Sequence, residues 1–193
     1  MPSQHSPETE HALSPAIVLE FCNFCQWTYE VWRNHLGLFD NNKRLTGPRN
    51  SYVKQELNRL SIISQEYGLL QIAKLHDKAI MNGNVTLGID YVLTYGDWSD
   101  SVRVHLETLK KELESLADQL REARNKILSH YDLSTILAAA PLGRFAEDDA
   151  ERYFKTLQVF VDTVHNEVIG GPWPFCNLVE NDVAAFLARI DWS

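Results

Sequence analysis

Several things are scarce or missing in this 193-residue chain. No run of about 18 uninterrupted apolar residues occurs, so no membrane-spanning helix is expected. Basic residues are few: 18 Lys and Arg stand against 26 Asp and Glu, a formal net charge of −8. That excludes a generally basic nucleic-acid coat protein and argues against adhesion to anionic lipid. The cysteines number three, Cys22, Cys25 and Cys176. An odd count does not make a disulfide framework, and Met1–Ser14 has neither a Lys or Arg nor the apolar stretch of a secretory leader. The expected compartment is therefore the reducing cytoplasm. The nine glycines are scattered as helix stops and turns, so no phosphate-cradling loop is present, and no G-x-S-x-G occurs. None of the seven histidines forms H-x-x-x-H or H-E-x-x-H. Neither a metal nor a cofactor is expected.

What is present is helical periodicity. The Ser-, Pro-, Glu- and His-rich segment 1–14 reads as a disordered tail before a single domain over 15–193. Ser14-Pro15 is a cap followed by proline at the first helical position. From there Ile17, Phe21, Phe24, Thr28 and Val31 make one stripe, and Val18, Cys22, Cys25, Tyr29 and Trp32 a second beside it. The spacing predicts a long, deeply packed helix ending near Gly37. After the breaker Gly47-Pro48, a second helix is expected from about Arg49 to Ile80, closed by Asn82-Gly83-Asn84. The segment Val85–Tyr95 has strand-like composition but no visible partner, so it reads as a loop with a short helical turn.

The third long helix is the clearest. Behind a cap at Asp97 or Ser99, the residues Val102, Leu106, Leu109, Leu113, Leu116, Leu120, Ala123 and Ile127 repeat at spacings 4, 3, 4, 3, 4, 3, 4, a heptad seam. A fourth opens with Glu147, Asp148 and Asp149 and carries Ala150, Phe154, Leu157, Val161, Val164 and Val168 to the stop Gly170-Gly171-Pro172. A last short helix, about Glu180 to Ile190, has Val183, Phe186 and Ile190 on one face. The predicted fold is all-α: an up-and-down bundle of four long helices plus one or two short ones.

Few constellations here can carry chemistry. Cys22-x-x-Cys25 has the spacing of a zinc or thiol-exchange pair, but it lies inside a helical stripe with no second pair near it. Two small core residues are the simpler reading. His35, His76, His105 and His165 are isolated and read as surface or half-buried helix residues. The five tryptophans read mainly as core, with Trp173 and Trp192 expected nearest to solvent.

That leaves Leu120-Arg121-Glu122-Ala123-Arg124-Asn125-Lys126-Ile127-Leu128-Ser129-His130-Tyr131-Asp132. Arg124 flanks the seam, and extending the heptad by three lands on His130. On spacing alone a His and an Arg here read as a satisfied structural pair. The functional alternative is phosphodiester chemistry. A histidine moves a proton near neutral pH, and an arginine clamps a phosphate through two donors and stabilises charge growing on its oxygens. Six residues of helix rise about 9 Å and turn the two side chains about 120° apart, so only the long Arg side chain brings both to one groove. Cleavage by transesterification is best served by a base and an acid. A two-fold axis at the end of this helix supplies both, so the pattern makes more sense in a homodimer.

With Arg124, polar Asn125 and His130 near the end of a long helix, the sequence resembles the HEPN superfamily. Its stretch "ARNKILSHYD", with "IAKLHDKAIMNGNVTLGIDYVL" before it, looks like the abortive-infection (Abi U-type) branch, over roughly residues 15 to 170. The resemblance implies a helical bundle that dimerises through the motif helices, and a metal-independent endoribonuclease acting as a toxin or phage-defence effector. It implies that Arg124 binds the scissile phosphate, His130 acts as general acid or base, and Asn125 hydrogen-bonds within the cleft. The products would carry a 2′,3′-cyclic phosphate and a 5′-hydroxyl. An antitoxin-like or regulatory protein is an implied partner. Other members are non-catalytic interaction or nucleotide-binding modules, the alternative for this chain.

RNA needs basic surface. Lys43, Arg44, Arg49, Lys54 and Arg59 stand against Glu56 alone, whereas 141–193 holds nine acids and four bases. The basic run reads either as a solvated helix face or as a phosphate-binding rim, to which Arg121 and Lys126 would add.

Overall fold

The computed structural model describes residues 12–40, 42, 51–123 and 147–189. Its elements in chain order are α1 (Pro15–His35), a π-helical turn (Leu36–Asp40), α2 (Ser51–Leu75), β1 (Ile80–Met81), β2 (Asn84–Val85), α3 (Ile89–Tyr95), α4 (Asp100–Ala123), α5 (Glu147–Val168) and α6 (Leu178–Arg189). The fold is all-α apart from one two-residue hairpin. No helix among the described residues is long and apolar enough to cross a membrane.

The long helices form where the stripes predict them. Ser14 Oγ accepts from the Ile17 amide and caps α1, with Pro15 in the first turn. The cap of α4 is Ser99, whose carbonyl and hydroxyl accept from the Arg103 and Val102 amides. In the core, Val18, Phe21, Cys22 and Cys25 from α1 meet Leu106, Leu109, Leu113 and Leu116 from α4 and Phe154, Leu157, Val161 and Val164 from α5. Two α5 residues outside the predicted stripe, Tyr153 and Phe160, are fully buried as well. Phe160 meets Phe21 edge-on at 6.0 Å, while Tyr29 meets Phe154 at 5.5 Å, so α1 and α5 run antiparallel.

Several ties set the direction of the remaining helices. The Leu13 amide donates to the Tyr95 carbonyl, and Arg103 reaches the Leu93 and Gly96 carbonyls. These bonds place the starts of α1 and α4 at one end of the bundle. The ends of α1 and α4 and the start of α5 therefore lie toward the other, called the upper end below. Residues 55–63 of α2 are mostly exposed, leaving Leu60 and Ile63 uncovered near Tyr67. The Tyr67 hydroxyl accepts from Trp27 Nε1 at 3.2 Å.

The middle of the chain differs from the sequence expectation. The second helix stops at Leu75 rather than near Ile80, and the following segment pairs Ile80 with Val85 and Met81 with Asn84. Asn82 and Gly83 both have positive φ, 51° and 80°, the two-residue turn that suits a right-twisted hairpin. The Asn-Gly turn was visible, but the pairing involves only two residues on each side of it; of the strand-like segment Val85–Tyr95 only Val85 is in a strand, and Ile89–Tyr95 forms the short helical element expected there. At the C-terminal end, Val183 is buried but Phe186 is exposed. Among the described tryptophans Trp27 is the exposed one, with Trp98 buried and Trp32 and Trp173 half-buried; Trp192 lies outside the described residues.

Asp90 at the start of α3 holds this region to α4. Its Oδ2 accepts from the Ala79 amide at 3.0 Å, and its Oδ1 pairs with Lys110. Burial by itself would raise the Asp90 carboxyl, but the Lys110 hydrogen bond and charge and the Ala79 amide outweigh it and hold the carboxyl below its ordinary range. A depressed folded-state pKa contributes stability above the unfolded carboxylate range, lost as pH falls through the folded value. Asp90→Asn should therefore be less stable than the parent at pH 7, and urea unfolding should show the gap narrowing by pH 3. A second prediction concerns Gly88, where an added Cβ would lie 2.8 Å from the Leu75 carbonyl oxygen. Since that neighbour is backbone, Gly88→Ala should cost about 1–3 kcal/mol in urea unfolding without changing the helical circular dichroism.

Candidate functional site

The seam of α4 positions the motif. Leu106 and Leu113 are fully buried, and Leu109, Leu116 and Ala117 nearly so, up to the last turns before Ala123. Arg124, Asn125, Lys126 and His130 follow directly and lie outside the described residues, as do Lys43, Arg44 and Arg49. Lys54 and Arg121 are placed on α2 and α4 by their backbone alone. Arg59 is exposed and ion-paired to Glu56 one turn earlier. The described helices nevertheless constrain where these segments begin. The chain leaves the π-helical turn at Asp40 and leaves α4 at Ala123, and both departures are at the upper end. The motif and the basic run thus join the bundle at the same end.

A histidine–carboxylate pair is described there. His35 Nε2 lies 3.6 Å from Asp40 Oδ2. Burial lowers the His35 pKa, and the Asp40 charge opposes the shift without reversing it, which favours a neutral ring. Two other described histidines do structural work: His76 bonds the hydroxyl of fully buried Tyr153 at 2.9 Å, and His165, buried rather than at the surface, bonds the Gly171 carbonyl at 2.8 Å, whereas His105 is exposed.

Below the upper end lies a groove of ≈ 490 Å³ that sequence reasoning did not single out. Tyr29, Trp32 and Arg33 of α1 form one side; Glu151, Phe154, Lys155, Gln158 and Val159 of α5 form the other; Phe175 and Asn177 close it. Tyr29 stacks on Phe175 at 5.1 Å, and Trp32 on Phe154 at 4.5 Å. The Arg33 guanidinium sits 5.3 Å from the Trp32 ring centre and pairs with Glu180. Gln158 fastens the closing segment, accepting from the Phe175 amide at 2.7 Å and donating to the Trp173 carbonyl at 2.8 Å. The available signals were the aromatic spacing Tyr29–Trp32 and the Trp173-Pro174-Phe175 run, both of which also fit a core.

Cys22 and Cys25 are core residues. Both are fully buried, and burial pushes Cys22 up to about 12 and Cys25 well above its ordinary value, with Asp162 adding to the first and Cys22 to the second. Such thiols are poor nucleophiles and poor metal ligands. Among the described residues no group of three or more His, Cys, Asp or Glu is placed to hold a metal ion.

A family model described as AbiU2, of the HEPN type, matches residues 16–187. No curated protein and no solved structure matches the chain.

The thiol environments give a direct check. At pH 8 an aromatic disulfide reagent should titrate Cys176 alone in the native protein and all three cysteines in denaturant. Rapid native reaction of two or more thiols would contradict the packing of α1.

Proposed function

The chain belongs to the AbiU2 family of HEPN proteins, and from that membership we propose that it is a metal-independent endoribonuclease of abortive-infection type, a toxin or phage-defence effector. The observation that carries this reading is that the family match runs through Arg124, Asn125 and His130. These residues directly follow a helix whose apolar face is continuous almost to its end.

In this reading two copies associate through the helices that carry the motif, and one cleft receives two Arg124 and two His130. One His130 takes the proton of a ribose 2′-hydroxyl as its oxygen attacks the adjacent phosphorus. The other His130 gives a proton to the departing 5′-oxygen. The bond broken is P–O5′ and the bond formed is P–O2′, leaving a 2′,3′-cyclic phosphate and a 5′-hydroxyl. Arg124 neutralises the charge that grows on the non-bridging oxygens, and Asn125 supplies a hydrogen bond within the cleft. The basic run Lys43, Arg44, Arg49, Lys54 and Arg59, with Arg121 and Lys126, carries the flanking phosphates. The common end from which these segments leave the bundle supports that role. An antitoxin-like or regulatory protein would act by covering the same end.

The test is RNA cleavage in chelator-containing buffer. Arg124→Ala and His130→Ala should each keep the helical circular dichroism and the dimer mass in light scattering. Each should lower the cleavage rate at least about 100-fold, the ordinary contribution of a positioned proton-transfer or charge-stabilising group. Cleavage retained by both variants, or by a strictly monomeric protein, would refute the assignment.

A further inference from the structure

The aromatic groove is lined by residues of α1, α5 and the segment 175–177, none of them in the motif stretch that holds Arg124 and His130. We propose that it is a stacking subsite for one unpaired nucleotide of a single-stranded RNA, an inference that rests on the ribonuclease reading for its choice of strand. Its volume of ≈ 490 Å³ lies within the ~300–1,000 Å³ typical of small-ligand sites. Its walls suit a planar ligand. Tyr29 and Phe175 lie within 24° of parallel, and Trp32 is backed by buried Phe154 at 21°. Each half-buried ring is held by a neighbour, so a base meets surfaces already in place.

The polar groups narrow the ligand further. Asn177 Oδ1 is occupied by the Tyr29 hydroxyl at 2.7 Å, and Gln158 Oε1 by the Phe175 amide. Apart from the rim carboxylates Glu151 and Glu180, which hold Lys155 and Arg33, the acceptors are taken. Donors are in surplus: the Asn177 amide nitrogen is left over, Arg33 Nε has no acceptor among the described residues, and Lys155 is mostly exposed beside Glu151 at 3.2 Å. A flat ligand rich in acceptors fits this surplus of donors, the two cations of the groove being matched by its two carboxylates. A nucleobase is such a ligand, whereas an aliphatic or basic peptide leaves the donors unmatched.

Position favours a strand over a free nucleotide. Arg152 lies 3.6 Å from Glu112, which levels the start of α5 with the middle of α4. From Glu112 the helix rises about 16 Å to Ala123, where the motif begins. The groove, flanked by the last turns of α1, therefore opens about 16 Å or more below Ala123, a distance that an RNA of a few nucleotides engaged at the upper end spans.

The experiment uses a fluorescent 2′-O-methyl RNA octamer, whose blocked 2′-oxygen prevents cleavage, and the same octamer made abasic. Fluorescence anisotropy should show the intact strand binding at least tenfold tighter than the abasic one. Phe175→Ser should remove most of that difference while leaving the abasic strand's affinity unchanged; if this variant does not fold, the two strands on the parent protein still decide. Equal binding of both strands overturns the proposal. So does a mononucleotide that matches the octamer, which would mark a free-nucleotide site, or an aromatic octapeptide that displaces the octamer, which would mark a protein partner's site. Base-dependent binding by a protein that cleaves no RNA would sink the ribonuclease reading and leave the groove standing. Cleavage without base-dependent binding would do the reverse.

Discussion

Burial of the α4 seam against α5, with α1 seated on α5, is the contact on which the remaining structure rests. Leu106, Leu113, Leu157, Phe160, Val161 and Val164 are all fully buried. Their side chains belong to two helices, α4 and α5, and apolar burial holds the pair side by side. Once α4 and α5 are paired, the antiparallel seating of α1 through Phe21 and Tyr29 follows. That seating fixes how α1 and α5 run relative to each other, and helix direction decides which helix ends lie at the upper end. Short polar ties then refine the arrangement, chiefly Ser14 on α1, Ser99 on α4 and Asp90 between the hairpin and Lys110.

The helices were legible because their burial is one-sided and their apolar residues recur at helical spacing. Leu106 and Leu113 are core in the sequence and in the structure for the same reason. Tyr153 and Phe160 were not legible because α5 is covered on more than one face, and a single stripe does not anticipate a second neighbour. The hairpin was missed by reasoning about strands as members of sheets. Two residues on each side of an Asn-Gly turn need no further partner when Asp90 holds the Ala79 amide beside them. In the candidate site, the linear motif could be read because its residues are close in the chain. The groove could not, since Tyr29, Phe154 and Phe175 come from three separate segments and only the packing of α1 on α5 brings them together.

The molecule divides its chemistry by height. Its middle is apolar, with high-pKa thiols and a buried tyrosine that burial keeps protonated. Its upper end collects the His35–Asp40 pair and the departures of the basic run and of the motif, with the aromatic groove below. The net charge of −8 is unevenly spread along the sequence, with the bases concentrated between Lys43 and Arg59 and an acidic excess after Pro141.

The continuity of the α4 seam also bears on how such a chain can change over generations. Each residue of helix advances about 100°, so a single insertion or deletion between Ser99 and Ala123 would turn the chain leaving the helix by that angle. The buried leucines would have to shift face to compensate. Substitutions on the exposed face, at Val104 or Lys111, carry no such penalty. The segment is therefore free in composition and rigid in length, and tolerated indels belong in the connections rather than in the helix that aims the motif.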